Sequence, residues 1–362
     1  MIIPIILLFS YVLSIQLIFY PALFAGVIFN NIKSKIKIDA NISYFILFTI
    51  MFLMIIFLLD LFRNATTEFI ILNIRYYYGI GFVVIFFKLT KNIVIGRYFF
   101  WIIVFIGLYE SFTLNILQSY PFYWNYSGYE INFLLERVTP DEYGIRRILG
   151  PAFNSSISGS IYVIMLFFIL SQKYEYRKFS MEQKILILLF IICILLSSST
   201  MAYIILIIGS IVHFRHISSI YIILITLLLS SYFYYTFNYQ SVYGVIWHNK
   251  IHTFIDYSGN YIYSLSDFIL GLPTLTDIYI DGRVLQGIDF IGGDFILINQ
   301  LVLNGSIATF IFIIFLFRIT PKQNRFYLFL GFIATLHYGV VYSLLGQLFF
   351  GAIIANKVKL TK

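Results

Sequence analysis

Asp141-Glu-Tyr-Gly-Ile-Arg-Arg-Ile-Leu-Gly-Pro-Ala-Phe-Asn-Ser-Ser-Ile-Ser-Gly159 is a polar stretch that runs directly into the apolar sequence 161–170. It places two adjacent arginines, Arg146 and Arg147, at the mouth of a hydrophobic helix. A guanidinium at the centre of a membrane helix costs about 2.5–3.5 kcal/mol, so such a pair usually has an anionic partner. A helix that begins at this mouth would add free amides and its positive dipole end to an anion site.

The composition indicates a membrane protein. Of the 362 residues, 60% are hydrophobic and only 11% are charged, and the mean hydropathy is +0.91. A soluble domain carries about 25% charged residues, so a soluble enzyme is excluded. Apolar stretches recur along nearly the whole length, and we therefore expect one polytopic domain spanning 1–362. The single cysteine, Cys193, excludes an internal disulfide and a cysteine-based metal cluster.

The apolar stretches predict an all-α fold with about eleven transmembrane helices, within a range of ten to twelve, because a bilayer core needs about 20 apolar residues per helix. Two stretches, 185–214 and 326–356, are too long for one helix. We divide them at Ser197–Thr200 and at Tyr338–Gly339, although either also fits a re-entrant hairpin. The first stretch contains Pro21 and also fits two short segments, which would make twelve spans. The predicted spans are 2–29, 42–62, 69–87, 98–117, 152–171, 185–198, 200–214, 217–236, 293–317, 326–340 and 343–356.

The distribution of basic residues predicts the orientation. With the N-terminus outside, 17 of the 24 basic residues fall in cytoplasmic segments, as the positive-inside rule requires. This placement explains the net charge of +8 without a nucleic-acid partner. Six of the seven remaining basic residues are arginines, whose planar fork pairs bidentately with phosphate. The outer side also carries two long loops, about 118–151 and 237–292, and loops of this length are commonly functional.

Three segments of the chain follow a family pattern. Arg147 and Gly150 match an R-x-x-G motif that enters a membrane helix, with Gly159 as the later glycine. The second segment is Ser197–Ala202, and the third is the set Ser266–Pro273, Asp281–Arg283, Asp289–Asp294 and Leu303–Ile307. In their order and spacing, the three segments resemble the bacterial O-antigen polymerase and ligase superfamily over about residues 140–320. The chain departs from the family in lacking a Pro-Asn pair after R-x-x-G and an arginine beside the serines of the second segment.

The resemblance implies a metal-independent membrane glycosyltransferase without a cofactor. Such an enzyme polymerises undecaprenyl-diphosphate-linked oligosaccharide units at the outer face of the bacterial cytoplasmic (inner) membrane. Its partners would be these lipid-linked glycans and the bilayer, with a flippase and a chain-length regulator as further partners. Arginines can stabilise the diphosphate leaving group electrostatically. A general base would take the proton of the acceptor sugar.

The site residues follow from these roles. Arg147 is the first candidate for the diphosphate, followed by Arg146, Arg283 and Arg75. The candidates for the general base are Asp294, Asp281 and His337, in that order; we also assign sugar binding to Asp281 and Asn154.

Each assignment has an alternative. The arginine pair also fits snorkelling to lipid headgroups. Asp294 also fits a helix cap, and Arg75 also fits an ion pair with Glu68 or Asp60. For the protein as a whole, an O-antigen ligase, a flippase or other transporter, and a non-catalytic assembly partner stay open.

Overall fold

The computed structural model describes residues 16–32, 40–90, 93–127, 129–138, 140, 144–176, 179–213, 265–271, 278–280, 283–285 and 296–360. Over these ranges the chain is a predominantly helical membrane protein. Four of the described helices are long and apolar enough to cross a bilayer: Ile42–Phe62, Thr67–Leu89, Arg97–Asn115 and Asn299–Ile319. The helical class is therefore confirmed, whereas the count of about eleven spans stays a prediction. The predicted span 217–236 lies outside the described residues.

The helices in chain order are α1 (Gln16–Ile32), α2 (Ala40–Phe62), α3 (Thr67–Asn73), α4 (Gly79–Leu89), α5 (Arg97–Asn115), α6 (Ile131–Arg137), α7 (Ser155–Tyr176), α8 (Met181–Ser197), α9 (Thr200–His213), α10 (Leu265–Leu270), α11 (Ile296–Ile319), α12 (Arg325–Thr335) and α13 (Leu344–Ile354). A π-helical turn, Ile74–Tyr78, joins α3 to α4. Short 3₁₀ segments occur at Phe122–Tyr126, Gly150–Ala152 and Lys322–Asn324. Two antiparallel strands, β1 (Ile278–Ile280) and β2 (Arg283–Leu285), lie between α10 and α11.

Both long stretches are interrupted where the sequence predicts a break. In 185–214, α8 ends at Ser198, which has a left-handed backbone with φ of 44°, and the Ser199 hydroxyl then accepts a hydrogen bond from the amide of Ala202 in the next helix. In 326–356, α12 and α13 have 11 residues each. At 1.5 Å per residue each helix is about 16 Å long, roughly half of a bilayer core. These lengths favour the re-entrant hairpin that the sequence left open, and the number of spans in this stretch stays a prediction.

Helix α7 is the centre of one group of helices and packs against α8, α9 and α12, while α5 packs against α8. Its residues 161–169 are buried. Close approach depends on Gly159, where an added Cβ would lie 2.6 Å from the Ser197 hydroxyl and 3.0 Å from the Ala202 methyl group. A second group forms around α4, which packs against α1, α2 and α13. The Phe100 and Phe349 rings, 6.2 Å apart, connect the two groups.

Contacts between helix ends bring described basic residues together at one end of the bundle, which we call the lysine-rich end. There Arg97 pairs with Glu182 at 3.3 Å, and the backbone around Val358 pairs with Ile95. Lys88, at the end of α4, lies over the ring of Phe45 near the start of α2. The opposite end, which we call the arginine end, holds Arg63 after α2 and Arg146 and Arg147 beyond α5, while Arg75 lies within the span Thr67–Leu89.

Cysteine labelling tests which membrane face each end meets. In a Cys193→Ala background, we expect Ser119→Cys to react with a membrane-impermeant maleimide in intact cells. We expect Gln323→Cys to react only after permeabilisation. Both positions are exposed, Ser119 beyond the last turn of α5 at the arginine end and Gln323 at the lysine-rich end, whereas Cys193 is buried. The reverse labelling pattern would show that the predicted orientation is wrong.

Candidate functional site

The arginine pair is anchored through its backbone to the last turn of α5. The amide of Arg146 donates to Asn115 Oδ1 at 2.7 Å, and Asn115 Nδ2 donates to the carbonyl of Arg146 at 3.0 Å. Arg146 is half-buried, whereas Arg147 is exposed. The Nε of Arg147 donates to the carbonyl of Arg137 at 2.6 Å, which directs its side chain along the first long loop. The polar mouth predicted from the sequence therefore exists as an ordered segment.

Glu110 is the buried centre of this segment. Its carboxylate accepts hydrogen bonds from the amide of Leu149 at 2.5 Å, the amide of Gly150 at 3.0 Å and the hydroxyl of Tyr123 at 2.6 Å. The side chain is fully buried between helices. A buried carboxylate is tolerated when several donors satisfy it, and here three donors do so. Glu110 thus connects the beginning of the loop 118–151 to its end.

Tyr123 stays a hydrogen-bond donor at physiological pH. Burial, and next the Glu110 carboxylate, raise the pKa of Tyr123 well above its usual value. The phenol therefore remains protonated and donates to Glu110. The ring of Tyr123 also packs 5.8 Å from that of Phe153, just before α7. This contact adds an apolar connection between the loop and the helix mouth.

Asn154 caps α7. Its Oδ1 accepts hydrogen bonds from the amides of Ser156 at 2.9 Å and Ile157 at 3.1 Å. The prediction that a helix begins at this mouth is confirmed. The expectation that its first amides are free for an anion is wrong, because the cap already satisfies two of them. Any anion bound here would rely on side chains such as those of the arginines, and the sugar-binding role of Asn154 stays a prediction.

The R-x-x-G segment also meets the serine segment Ser197–Ala202. The amide of Ile148 donates to the carbonyl of Leu196 at 3.0 Å. Gly150 has φ of +68°, and an added Cβ would lie 2.7 Å from the Ser158 side chain. Together with the contact of Gly159 with Ser197 described above, these contacts place the first two family-like segments side by side.

Arg75 lies in the π-helical turn between α3 and α4. Its carbonyl accepts hydrogen bonds from the Tyr20 hydroxyl at 3.1 Å and from Gln347 Nε2 at 3.0 Å. The alternative in which Arg75 pairs with Glu68 or Asp60 is wrong, because both ion pairs found in the described ranges are formed by other arginines, Asp60 with Arg63 and Glu182 with Arg97. The half-buried guanidinium of Arg75 therefore remains a candidate for an anionic ligand.

His337 lies in the turn between α12 and α13. The residue is largely buried, and its ring stacks on that of Tyr338 with centroids 4.2 Å apart. The next residue, Gly339, approaches the hydroxyl of Tyr76 so closely that no Cβ would fit. The structure therefore brings the histidine turn next to the π-helical turn of Arg75. The role of His337 as a base stays a prediction.

A second polar cluster joins Asp60, Arg63 and Asn73 to the third family-like segment. Arg63 donates to the carbonyls of Leu303, at 2.7 Å, and Leu270. Asn73 Nδ2 donates to Asp60 at 2.8 Å and to Asn304 at 2.9 Å. Helix α11 is interrupted at Gly305, which has φ of 78° and ψ of 160°. The cluster therefore joins α2, α3 and α10 to the break in α11.

The remaining candidates are less fully described. Asp281 and Asp294 lie outside the described residues. The backbone of Arg283 belongs to β2 and pairs with Ile280 of β1, while its side chain lies outside the description. Sequence reasoning missed Glu110, Asn115, Gln347 and the structural role of Arg63. An acidic residue inside the apolar stretch 98–117 was the available signal for Glu110, since an ionisable residue within a span normally has a specific partner.

Comparisons with known proteins found no matching family model, no matching curated protein and no matching solved structure.

Replacing Glu110 tests the buried centre of the segment. We expect Glu110→Ala to lower the free energy of unfolding by roughly 3 kcal/mol, because two buried amides and a hydroxyl lose their acceptor. The measurement is equilibrium unfolding in detergent micelles. Glu182→Ala is the control, since its half-exposed contacts with Arg97 and Trp101 should contribute much less to stability than the buried contacts of Glu110. Equal losses in the two variants would contradict the central role of Glu110.

Replacing Gly305 tests the break in α11. An added Cβ would lie 2.6 Å from the amide nitrogen of Gly271 and still closer to the carbonyl of Ile269. Gly144 is the matched control, because its φ of +76° is similar but nothing lies within 4 Å. We expect Gly144→Ala to cost about 1 kcal/mol, from backbone strain alone. Gly305→Ala should reduce stability by clearly more in the same unfolding experiment, and a loss equal to that of Gly144→Ala would argue against the close packing.

Proposed function

We propose that this protein is a membrane glycosyltransferase that polymerises undecaprenyl-diphosphate-linked oligosaccharide units at the outer face of the bacterial cytoplasmic membrane. The observation that carries the proposal is the ordered placement of Arg146 and Arg147. Their backbone is held by Asn115, next to the capped start of α7, at the end of the bundle opposite the lysines. A diphosphate headgroup would meet these side chains from the outer leaflet.

The chemistry assigned to the site is displacement at an anomeric carbon. A terminal hydroxyl of one lipid-linked unit attacks the anomeric carbon of another, and the bond from that carbon to the diphosphate oxygen breaks. The leaving diphosphate carries more charge in the transition state than in the ground state. Guanidinium groups fixed before the reaction stabilise that charge without reorganisation. Arg147 is assigned this role first, followed by Arg146, Arg283 and Arg75.

The proton of the attacking hydroxyl requires a base. Asp294 and Asp281 are the first candidates from the sequence, and His337 is the one whose surroundings are described. His337 lies in the turn beside Tyr76, one residue from Arg75. This arrangement places a titratable ring and a cation on adjoining turns, which supports assigning both to the same site. The pH dependence of glycosyl transfer, compared between the wild type and a His337 variant, would test that assignment.

An arginine variant in a deletion strain tests the function. We expect Arg147→Ala to reduce long-chain surface glycan at least tenfold at equal protein level, since a hydrogen-bonded charge contributes about 1.5–3 kcal/mol. Single repeat units should still reach the surface. The readout is gel separation of the surface polysaccharide. Arg318→Ala is the matched control, because Arg318 is an exposed arginine at the lysine-rich end.

The other outcomes identify other functions. Units that accumulate inside the cell would indicate a flippase. Full-length glycan that stays on its carrier lipid would indicate a ligase. Normal chain length in Arg147→Ala and in the double variant of Arg147 and Arg283 would reject the proposal and favour an assembly partner.

A further inference from the structure

Two side chains of α5 form four hydrogen bonds with the backbone of the segment 146–150, in addition to the bond from the amide of Ile148 to the carbonyl of Leu196. Asn115 bonds to the amide and the carbonyl of Arg146. Glu110 accepts from the amides of Leu149 and Gly150. The two residues are five apart on the last turns of one helix, so a single rigid element supports both ends of the segment. In these four bonds both side chains contact backbone atoms of the segment and not the arginine side chains.

We propose that Glu110 and Asn115 are positioning residues for Arg146 and Arg147. They fix the path of the backbone, and thereby the place from which the guanidinium groups meet an anionic headgroup. This inference rests on the proposed function, because it assigns the arginines to a diphosphate. It goes further by stating that the affinity for the headgroup depends on two side chains that do not touch it.

The geometry explains why a carboxylate is suited to position 110. Its two oxygens accept from neighbouring amides at 2.5 and 3.0 Å while also accepting the Tyr123 hydroxyl. Glutamine offers one acceptor oxygen, and its NH₂ group would face an amide N–H. At least one amide would then lose its acceptor and the backbone reversal at Gly150 would shift. A displacement of about 1 Å in positioned groups can cost on the order of 100-fold in rate.

A double-mutant cycle separates positioning from general destabilisation. The full chain is reconstituted in nanodiscs, and equilibrium binding of undecaprenyl diphosphate is measured at a temperature at which every variant is folded. We expect Arg147→Ala to raise the Kd at least tenfold and Glu110→Gln to raise it several-fold, roughly fivefold to tenfold. In the Arg147→Ala background, Glu110→Gln should change the Kd less than about twofold, because the two residues act through one contact.

Further variants make the experiment decisive. Asn115→Ala should show the same non-additivity with Arg147→Ala, and it keeps the test available if Glu110→Gln does not fold. Asn324→Ala is the control for stability: Asn324 Nδ2 donates to the carbonyl of Ile353 at 2.8 Å at the lysine-rich end. We expect it to lower the melting temperature while leaving the Kd unchanged. Competition by inorganic pyrophosphate should reduce lipid binding if the headgroup is the part recognised.

Two kinds of failure are distinguishable. If Arg147→Ala leaves the Kd unchanged, the proposed function of the arginines is wrong, and the positioning role falls with it. If Arg147→Ala weakens binding but the variants at Glu110 and Asn115 do not, the arginines keep their role and the positioning inference is wrong. If Glu110→Gln changes the Kd by the same factor with Arg147 present and in the Arg147→Ala background, the positioning inference is also wrong.

Discussion

Satisfying backbone polar groups inside an apolar bundle is the constraint on which this structure depends. A membrane helix satisfies its own amides and carbonyls, but every break in a helix exposes some of them. Three breaks are each met by a side chain from a distant part of the chain. Glu110 accepts the amides at Leu149–Gly150, Gln347 donates to the carbonyls of the π-helical turn, and Arg63 donates to carbonyls on both sides of the Gly305 contact.

The same three breaks lie next to polar and charged side chains that could bind a ligand. Arg146 and Arg147 precede the first break, Arg75 lies in the second, and Asn304 adjoins the third. This coincidence has a physical reason. Irregular backbone leaves amides and carbonyls without partners in a helix, and buried polar side chains must then satisfy them. The site and its support are therefore parts of one arrangement.

The sequence predicted the features that are local. Hydropathy located the long described helices, though not α6 and α10 in the predicted outer loops, and the run of serines marked the break at Ser198. Both signals lie within one or two turns of the backbone. It did not predict that Glu110 accepts the amides of Leu149 and Gly150, nor that Arg63 bonds to Leu303, 240 residues away. Hydropathy also could not distinguish a lipid-facing span from a helix covered by protein. For this reason the sequence leaves open whether 326–356 forms two spans or a re-entrant hairpin, and the 11-residue lengths of α12 and α13 favour the hairpin.

The described arginines that the sequence predicts on the outer side differ in their contacts, so they are not equivalent candidates for binding phosphate. Their number alone would make all of them equivalent phosphate ligands. Arg63 is instead buried and bonded to two carbonyls, and the guanidinium of Arg137 lies 4.2 Å from the centroid of the Phe133 ring. Arg147 also donates to a carbonyl, that of Arg137, but its side chain is exposed, whereas that of Arg63 is buried. Arg75, Arg146 and Arg147 stay the described candidates. Three guanidinium groups are enough to balance the charge of one diphosphate, since each forms charge-assisted, bidentate pairs with its oxygens. The proposed function therefore needs no contribution from the arginines that hold the fold together.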